Sequence, residues 1–320
     1  MTPRVSIGIP VFNEEAGLPE LLRRVRAVLD VLPGGPHELV LVDDGSTDRT
    51  LAMAETAATT DPRIVVVALS RNFGHQAALS AALDHATGDA VVVMDGDLQD
   101  PPETIADFLD GHARGYDVVY ATRTDRKEAW YLRAAYWAFY RLLGRLSSPA
   151  IPLDAGDFGL MSRRVVDLLK SVPERNRFLR GLRTWAGFRQ LAVAVERGER
   201  HAGRSKYSFS KLLRLAFDGM FAFSTVPIRA AAILGAAAML LALLFAVYSL
   251  WAKLFLHEET RGFTALTLLI TFLAGVNLFF LGVIGEYVGR VYEEVKGRPL
   301  YVVSRITRRS EARPSEARPV

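Results

Sequence analysis

Two uninterrupted apolar runs constrain this chain more than any other feature. Ala230 to Ala252 carries no charged residue, and neither does Gly262 to Gly285. Each exceeds the roughly 20 residues that a helix needs to cross about 30 Å of hydrocarbon. Two such runs in succession are hard to bury in a globular core, so they predict membrane spans over about 229–252 and 262–286. The linker from Lys253 to Arg261 is short, which makes the pair a helical hairpin within residues 228–289. Arg229 precedes the first span, and Arg290, Lys296, Arg298, Arg305, Arg308 and Arg309 follow the second. In the loop, Lys253 and Arg261 are balanced by Glu258 and Glu259. This bias predicts a multi-pass protein with both termini in the cytoplasm. The N-terminus has no apolar core of signal-peptide length, so residues 1–204 are expected to stay there as well. Residues 290–320 are expected as a cytoplasmic C-terminal tail, in which the stretch after Arg305, rich in Arg, Glu, Ser and Pro, is expected to be disordered.

At 320 residues the length allows one large domain or two modest ones. A formal charge of +4 writes no nucleic-acid footprint, and the pI near 9.4 reflects arginines close to the apolar segments. The absence of cysteine excludes disulfides, thiolate catalysis and Cys-ligated zinc.

Before the spans, strand-like and helix-like stretches alternate. Val5–Val11, Glu38–Val42, Ile64–Leu69, Ala90–Met94 and Val118–Ala121 read as strands; Leu18–Leu32, Asp48–Thr59, His75–Thr87 and Pro102–Arg114 read as helices. That alternation predicts an α/β fold with a mostly parallel sheet flanked by helices. No Gly-x-Gly-x-x-Gly follows the first strand and no Walker loop occurs, which argues against a dinucleotide fold or a phosphate-loop ATPase.

Acidic loops follow the strands instead. Pro10-Val11-Phe12-Asn13-Glu14-Glu15 follows the first and Asp43-Asp44-Gly45-Ser46-Thr47-Asp48 the second. Asp95-Gly96-Asp97-Leu98-Gln99-Asp100 follows the apolar run Ala90–Met94. Asp48 or Thr47 would also cap a helix, but capping does not explain Asp43 and Asp44 at the strand end. Two hard-oxygen donors as close as Asp95 and Asp97 can share a divalent cation, and such a cation typically grips a diphosphate. Acids at the neighbouring strand ends can bond a base edge or a ribose.

These three segments resemble the signatures of family-two glycosyltransferases with the GT-A fold. The similarity is strongest to the polyprenyl-phosphate branch, which includes bactoprenol glucosyltransferases and dolichol-phosphate mannose synthase. It extends to Asp154-Ala155-Gly156-Asp157-Phe158, Arg177-Phe178-Leu179-Arg180-Gly181 and Arg200 to Tyr207. The resemblance implies transfer of a hexose from a nucleotide-diphosphate sugar to a polyprenyl phosphate, with inversion, at a bacterial inner membrane. UDP-glucose and undecaprenyl phosphate are the expected substrates. It assigns Mg2+ or Mn2+ to Asp97, Asp95 and Gln99, and the nucleotide sugar to Pro10, Asn13, Glu15, Asp43, Asp44 and Asp95. Asp157 and Asp97 become the catalytic candidates, Asp157 as a base or as an orienting group.

An anionic acceptor needs cations, preferably arginine forks. By the same resemblance Arg123, Arg133, Arg200 and Lys206 are expected on the acceptor phosphate, with Ser205 as a donor. Phe209, Leu212, Leu213, Ala216, Phe217, Met220 and Phe221 recur at helical spacing, which predicts an amphipathic helix within residues 205–227. Because it leads into a span, it is expected to lie at the membrane interface. Small residues such as Gly285 and Gly289 leave room for a homo-oligomer. The rival readings are a processive polysaccharide synthase and a noncatalytic membrane scaffold. The synthases carry Gln-x-x-Arg-Trp where this chain has Gly181-Leu182-Arg183-Thr184-Trp185, and the intact acidic loops speak against the scaffold.

Overall fold

The strands β1 (Val5–Val11), β2 (Glu38–Asp43), β3 (Ile64–Leu69) and β4 (Ala90–Val93) are buried along their whole length. Continuous burial is what strands covered on both faces require. The computed structural model describes residues 2–123, 155–175, 177–195, 226–255 and 262–309. It adds β5 (Val118–Arg123), β6 (Ala155–Ser162), β7 (Gln190–Val195) and β8 (Val303–Thr307) to form one eight-stranded sheet of order β7-β5-β6-β4-β1-β2-β3-β8. The central β4-β1-β2-β3 block is parallel, and so is the β5–β7 pair. Only β6 and β8 run antiparallel to their neighbours. The expected mostly parallel α/β sheet is therefore observed.

The flanking helices are α1 (Leu18–Val31), α2 (Thr50–Thr60), α3 (His75–His85), α4 (Ile105–Ala113), α5 (Arg163–Ser171) and α6 (Leu179–Trp185). In α1, Leu18, Leu21, Leu22, Val25, Val28 and Leu29 form the buried stripe that 3.6-residue periodicity dictates, with Pro19 in the first turn. On the opposite face, α3 approaches β1 so closely that a Cβ at Gly8 would stand 2.8 Å from the Ala82 Cβ. The helix expected from Asp48 begins two residues later. Asp48 is engaged as a bridge, accepting the Thr50 N–H at 2.9 Å and the Glu15 N–H at 3.2 Å.

β8 lies partly in the stretch expected to be disordered. Its pairing with β3 continues to Thr307, and Arg305 forks onto Glu55 with its Nε at 2.5 Å and Nη2 at 3.1 Å. Local composition had signalled disorder because the edge that orders these residues is supplied from more than 230 positions away. Residues 298–309 thus belong to the same unit as residues 2–195.

The second unit contains α7 (Val226–Phe255) and α8 (Phe263–Val295). Both are long and apolar enough to cross a membrane, over Ala230–Ser249 and Leu269–Val295. Leu240, Leu241, Leu244, Phe245, Phe272 and Phe279 are all exposed on them, a surface that water does not tolerate at this scale. At 33 residues α8 is about 50 Å long, well beyond a bilayer's apolar thickness.

Candidate active site

The antiparallel register of β6 against β4 creates the centre of the site. Val93 pairs with Gly159, so two residues further on Asp95 comes level with Asp157. His75, the first residue of α3, faces both carboxylates. Its Nε2 lies 3.3 Å from Asp95 Oδ1 and 3.8 Å from Asp157 Oδ2. Three segments remote in sequence therefore meet at one carboxyl edge of the sheet, where open α/β folds bind ligands.

Asp157 is buried and held from three sides. Arg180 donates from Nε to Oδ1 at 2.9 Å and from Nη2 to Oδ2 at 3.0 Å, a two-point fork. Gln76 Nε2 donates to Oδ2 at 3.4 Å, while its Oε1 accepts the Leu179 N–H at 3.0 Å. Burial opposes ionisation of Asp157. The neighbouring His75 and the Arg180 charge and fork outweigh it and hold the carboxyl far below the usual range. For His75, desolvation is likewise overcome by the adjacent carboxylates of Asp157 and Asp95, so its pKa is raised. Behind them Arg183 is only 2% exposed; its Nη2 donates to the Gly156 carbonyl at 3.0 Å and its guanidinium lies 4.6 Å from the centre of the Tyr120 ring. Burial pushes the Arg183 pKa down to about 10, still charged at neutral pH.

In the β4 loop, Asp97 Oδ1 accepts the backbone N–H of Gln99 at 3.1 Å across Leu98, whose φ is +56°. Burial pushes the Asp95 pKa up, with Asp157, Asp97 and Asp100 adding to it and His75 opposing. Among the described residues no three carboxylate or imidazole side chains form a metal cluster. Asp95 and Asp97 nevertheless fit a hard cation. They offer closely spaced oxygen donors in a region of mutual carboxylate repulsion, and a bound diphosphate and water can complete the shell.

The ends of β1 and β2 interlock beside this loop. Pro10 is buried in β1 opposite Val42. Asn13, at φ +54°, accepts the Thr47 N–H at 2.8 Å and donates its own N–H to Ser46 Oγ at 3.0 Å. Asp43 Oδ2 accepts the Ser46 N–H at 3.1 Å, whereas its buried Oδ1 has no partner among the described residues. A buried acceptor of this kind can take a further donor such as water, an ion or a ligand. Asp44 instead clasps the loop before α3, accepting the Phe73 N–H at 2.7 Å and the Gly74 N–H at 3.0 Å. Its pKa is raised, chiefly by burial. Gly45, at φ +72°, packs so tightly on this loop that a Cβ would stand 2.5 Å from the Arg71 carbonyl carbon. Glu15 is engaged by Arg49, accepting from its Nε at 2.7 Å and also from Nη2 and the backbone N–H.

The structure thus gathers Asp95, Asp97, Asp157 and Asp43 at one edge and gives Asp44 and Glu15 protein partners. Arg123 ends β5, while Arg133, Arg200, Ser205 and Lys206 lie outside the described residues, as does the expected interfacial helix through residue 225. His75 and Gln76 escaped notice because they read as an ordinary helix start after Gly74. Arg180 was visible only as part of a motif, without its link to Asp157.

The family model of glycosyl transferase family 2 matches residues 6–169, and that of the GtrB C-terminal hairpin matches residues 226–291. An uncharacterised glycosyltransferase of Synechocystis sp. is 45% identical over 305 residues, covering 95% of this chain and 96% of the relative. The SfII prophage-derived bactoprenol glucosyl transferase of Shigella flexneri is 40% identical over 304 residues, covering 94% and 98%. An undecaprenyl-phosphate 4-deoxy-4-formamido-L-arabinose transferase of Edwardsiella ictaluri is 36% identical over 315 residues, covering 96% and 95%. With its acidic sheet edge and apolar helical pair, the chain is a GT-A glycosyltransferase that belongs to glycosyl transferase family 2 and carries the GtrB C-terminal hairpin.

Proposed function

We propose that this enzyme transfers glucose from UDP-glucose to undecaprenyl phosphate, with inversion, at the cytoplasmic face of a bacterial inner membrane. The juxtaposition of Asp95 with Asp157 across the β4–β6 register supports this reading, because it brings the acidic Asp95–Asp97 loop beside the carboxylate that Arg180 holds. The names of two near-full-length relatives supply the acceptor class, bactoprenol and undecaprenyl phosphate.

The two apolar helices leave and rejoin one globular unit. Two crossings return a chain to the side it left, and the arginines flanking the pair favour the cytoplasm for both ends. Residues 1–204 then form the catalytic domain, 205–227 the interfacial helix and 228–289 the hairpin. The 290–320 segment closes the chain on the cytoplasmic side.

In the reaction an acceptor phosphate oxygen attacks the anomeric carbon, the bond to the donor's diphosphate breaks, and the nucleoside diphosphate leaves. A phosphate monoester has its second pKa near 6, so the nucleophile needs no proton removed at neutral pH. Asp157, ionised and wrapped by Arg180, His75 and Gln76, is suited to anchor those cations rather than to accept a proton. Arg123, Arg133, Arg200, Lys206 and Ser205 are assigned to the acceptor phosphate. Asp43, at the end of β2, and Asn13, just beyond Pro10's strand, are assigned to the nucleotide. A divalent cation, Mg2+ or Mn2+, held by Asp97 and Asp95 with help from Gln99, would neutralise the leaving diphosphate.

The test uses the purified full chain in detergent with Mn2+, labelled UDP-glucose and undecaprenyl phosphate. A glucosyl lipid, lost in Asp97→Ala, is the expected product. If no nucleotide sugar yields lipid-linked sugar, the proposal fails; a long polymer would instead identify a processive synthase.

A further inference from the structure

The segment that follows the hairpin reaches back to the outer wall of the site. Leu69 of β3 pairs with Val303 of β8, and the Val302 carbonyl accepts the Ser70 N–H at 2.9 Å. Tyr301 donates its hydroxyl to Asp84 Oδ2, near the end of α3, at 2.6 Å. Its ring joins Phe73 and Val303 in packing on a buried cluster that includes Val40, Val67 and Ala78. The loop braced in this way, 70–74, is the same one that Asp44 clasps through the Phe73 and Gly74 amides. Within it the Arg71 guanidinium lies 4.1 Å from the Phe73 ring centre. The residue that follows is His75, beside Asp95.

We propose that Tyr301 is a positioning residue for the sugar-nucleotide donor: it holds the 70–75 loop and α3 against the acidic ends of β2 and β4. The segment leaving the hairpin thereby completes the donor side of the site. The inference rests on reading that edge as the donor site. A loop with fewer anchors populates more conformers, and a ligand that needs one of them binds more weakly in proportion. Asp44 fixes the loop from the inside, but its two bonds leave Ser70 and the Phe73 ring to be fixed from outside. Val302 holds Ser70 through its carbonyl, and Tyr301 packs on the same buried cluster as the Phe73 ring while tying down the far end of α3 through Asp84. Arg305, in the middle of β8, and Thr307, at its other end, bond to Glu55 of α2 instead.

This difference along one strand supplies the test. Full-length wild type, Tyr301→Ala, Tyr301→Phe and Thr307→Ala are compared in detergent with UDP-glucose, undecaprenyl phosphate and Mn2+, alongside Tm. Tyr301→Ala is expected to raise the KM for UDP-glucose by about fivefold or more while leaving the acceptor KM within about twofold. Tyr301→Phe, which keeps the ring, should recover most of that loss. Thr307→Ala, which loosens the Glu55 end of β8, should lower Tm without moving the donor KM. If Tyr301→Ala does not fold, Tyr301→Leu makes the same comparison. An unchanged donor KM in an active Tyr301 variant, or a donor KM that tracks Tm equally in the Tyr301 and Thr307 variants, overturns the inference alone. A wild type that transfers no sugar overturns the underlying reading and this inference together.

Discussion

Arg180 grips both carboxylate oxygens of Asp157, through Nε at 2.9 Å and Nη2 at 3.0 Å. A carboxylate held by a fork, with its pKa far below the usual range, is a poor proton acceptor and a strong anchor. Asp157→Asn should therefore lower kcat by about a hundredfold at every pH between about 6.5 and 8.5, because no proton transfer is removed. Arg180→Met should reproduce most of that loss, and the double variant should be little worse than either single one. A loss that varies tenfold across that range would restore a base role for Asp157.

Removing divalent cations should abolish transfer. Dialysis against EDTA is expected to leave less than about 1% of the activity, with recovery on adding Mn2+ or Mg2+. Asp97→Asn should weaken UDP binding measured by calorimetry in the presence of Mn2+ and have little effect in its absence. Full activity in EDTA would exclude the proposed cation.

Gly45 occupies a position where both the backbone and the space exclude a side chain. Its φ is +72°, and an added Cβ meets the backbone of Arg71 and Asn72. Gly45→Ala should cost about 1–3 kcal/mol of stability and raise the donor KM, since the clash displaces the loop that Asp44 holds. Thermal unfolding and donor titration check the two effects separately.

Acid stability should depend on Glu38, which is buried away from the site. Its Oε1 accepts the Ser6 hydroxyl at 2.5 Å and the Thr87 N–H at 2.6 Å, and Arg4 Nη2 stands 3.4 Å from Oε2. Burial raises its pKa, but these bonds outweigh burial and leave it below the ordinary 4.5. A depressed folded pKa stabilises the protein above the unfolded value, and that stability is lost as pH falls through the folded one. Stability of the wild type should decline below about pH 4.5. Glu38→Gln should flatten that decline at a cost of about 1–3 kcal/mol near neutrality. Denaturant melts across pH measure both.

The central strands and helices were legible because their signals are local. The bounds of β3 follow directly from an apolar run between Arg63 and Ser70, and those of α1 from its apolar stripe. The acidic strand ends were legible for the same reason. Beyond residue 123 the reading weakened. β6 has the mixed sequence Ala-Gly-Asp-Phe-Gly-Leu-Met-Ser, and β8 is the short, largely polar Val-Ser-Arg-Ile-Thr. Neither looks like a strand until a neighbouring edge satisfies its backbone. His75 and Arg180 carried no signal of their own, since each is unremarkable on its helix.

Local chemistry along the chain was enough to establish the alternating sheet domain, the carboxylates at its strand ends and the two lipid-length helices. These depend on periodicity, run length and the donor chemistry of nearby residues. Only the tertiary structure decided that β6 enters antiparallel between β4 and β5, bringing Asp157 level with Asp95, and that the returning segment braces the loop beside them. Those pairings join residues up to hundreds of positions apart. They are chosen by register and packing across the whole sheet, which no local window of sequence contains.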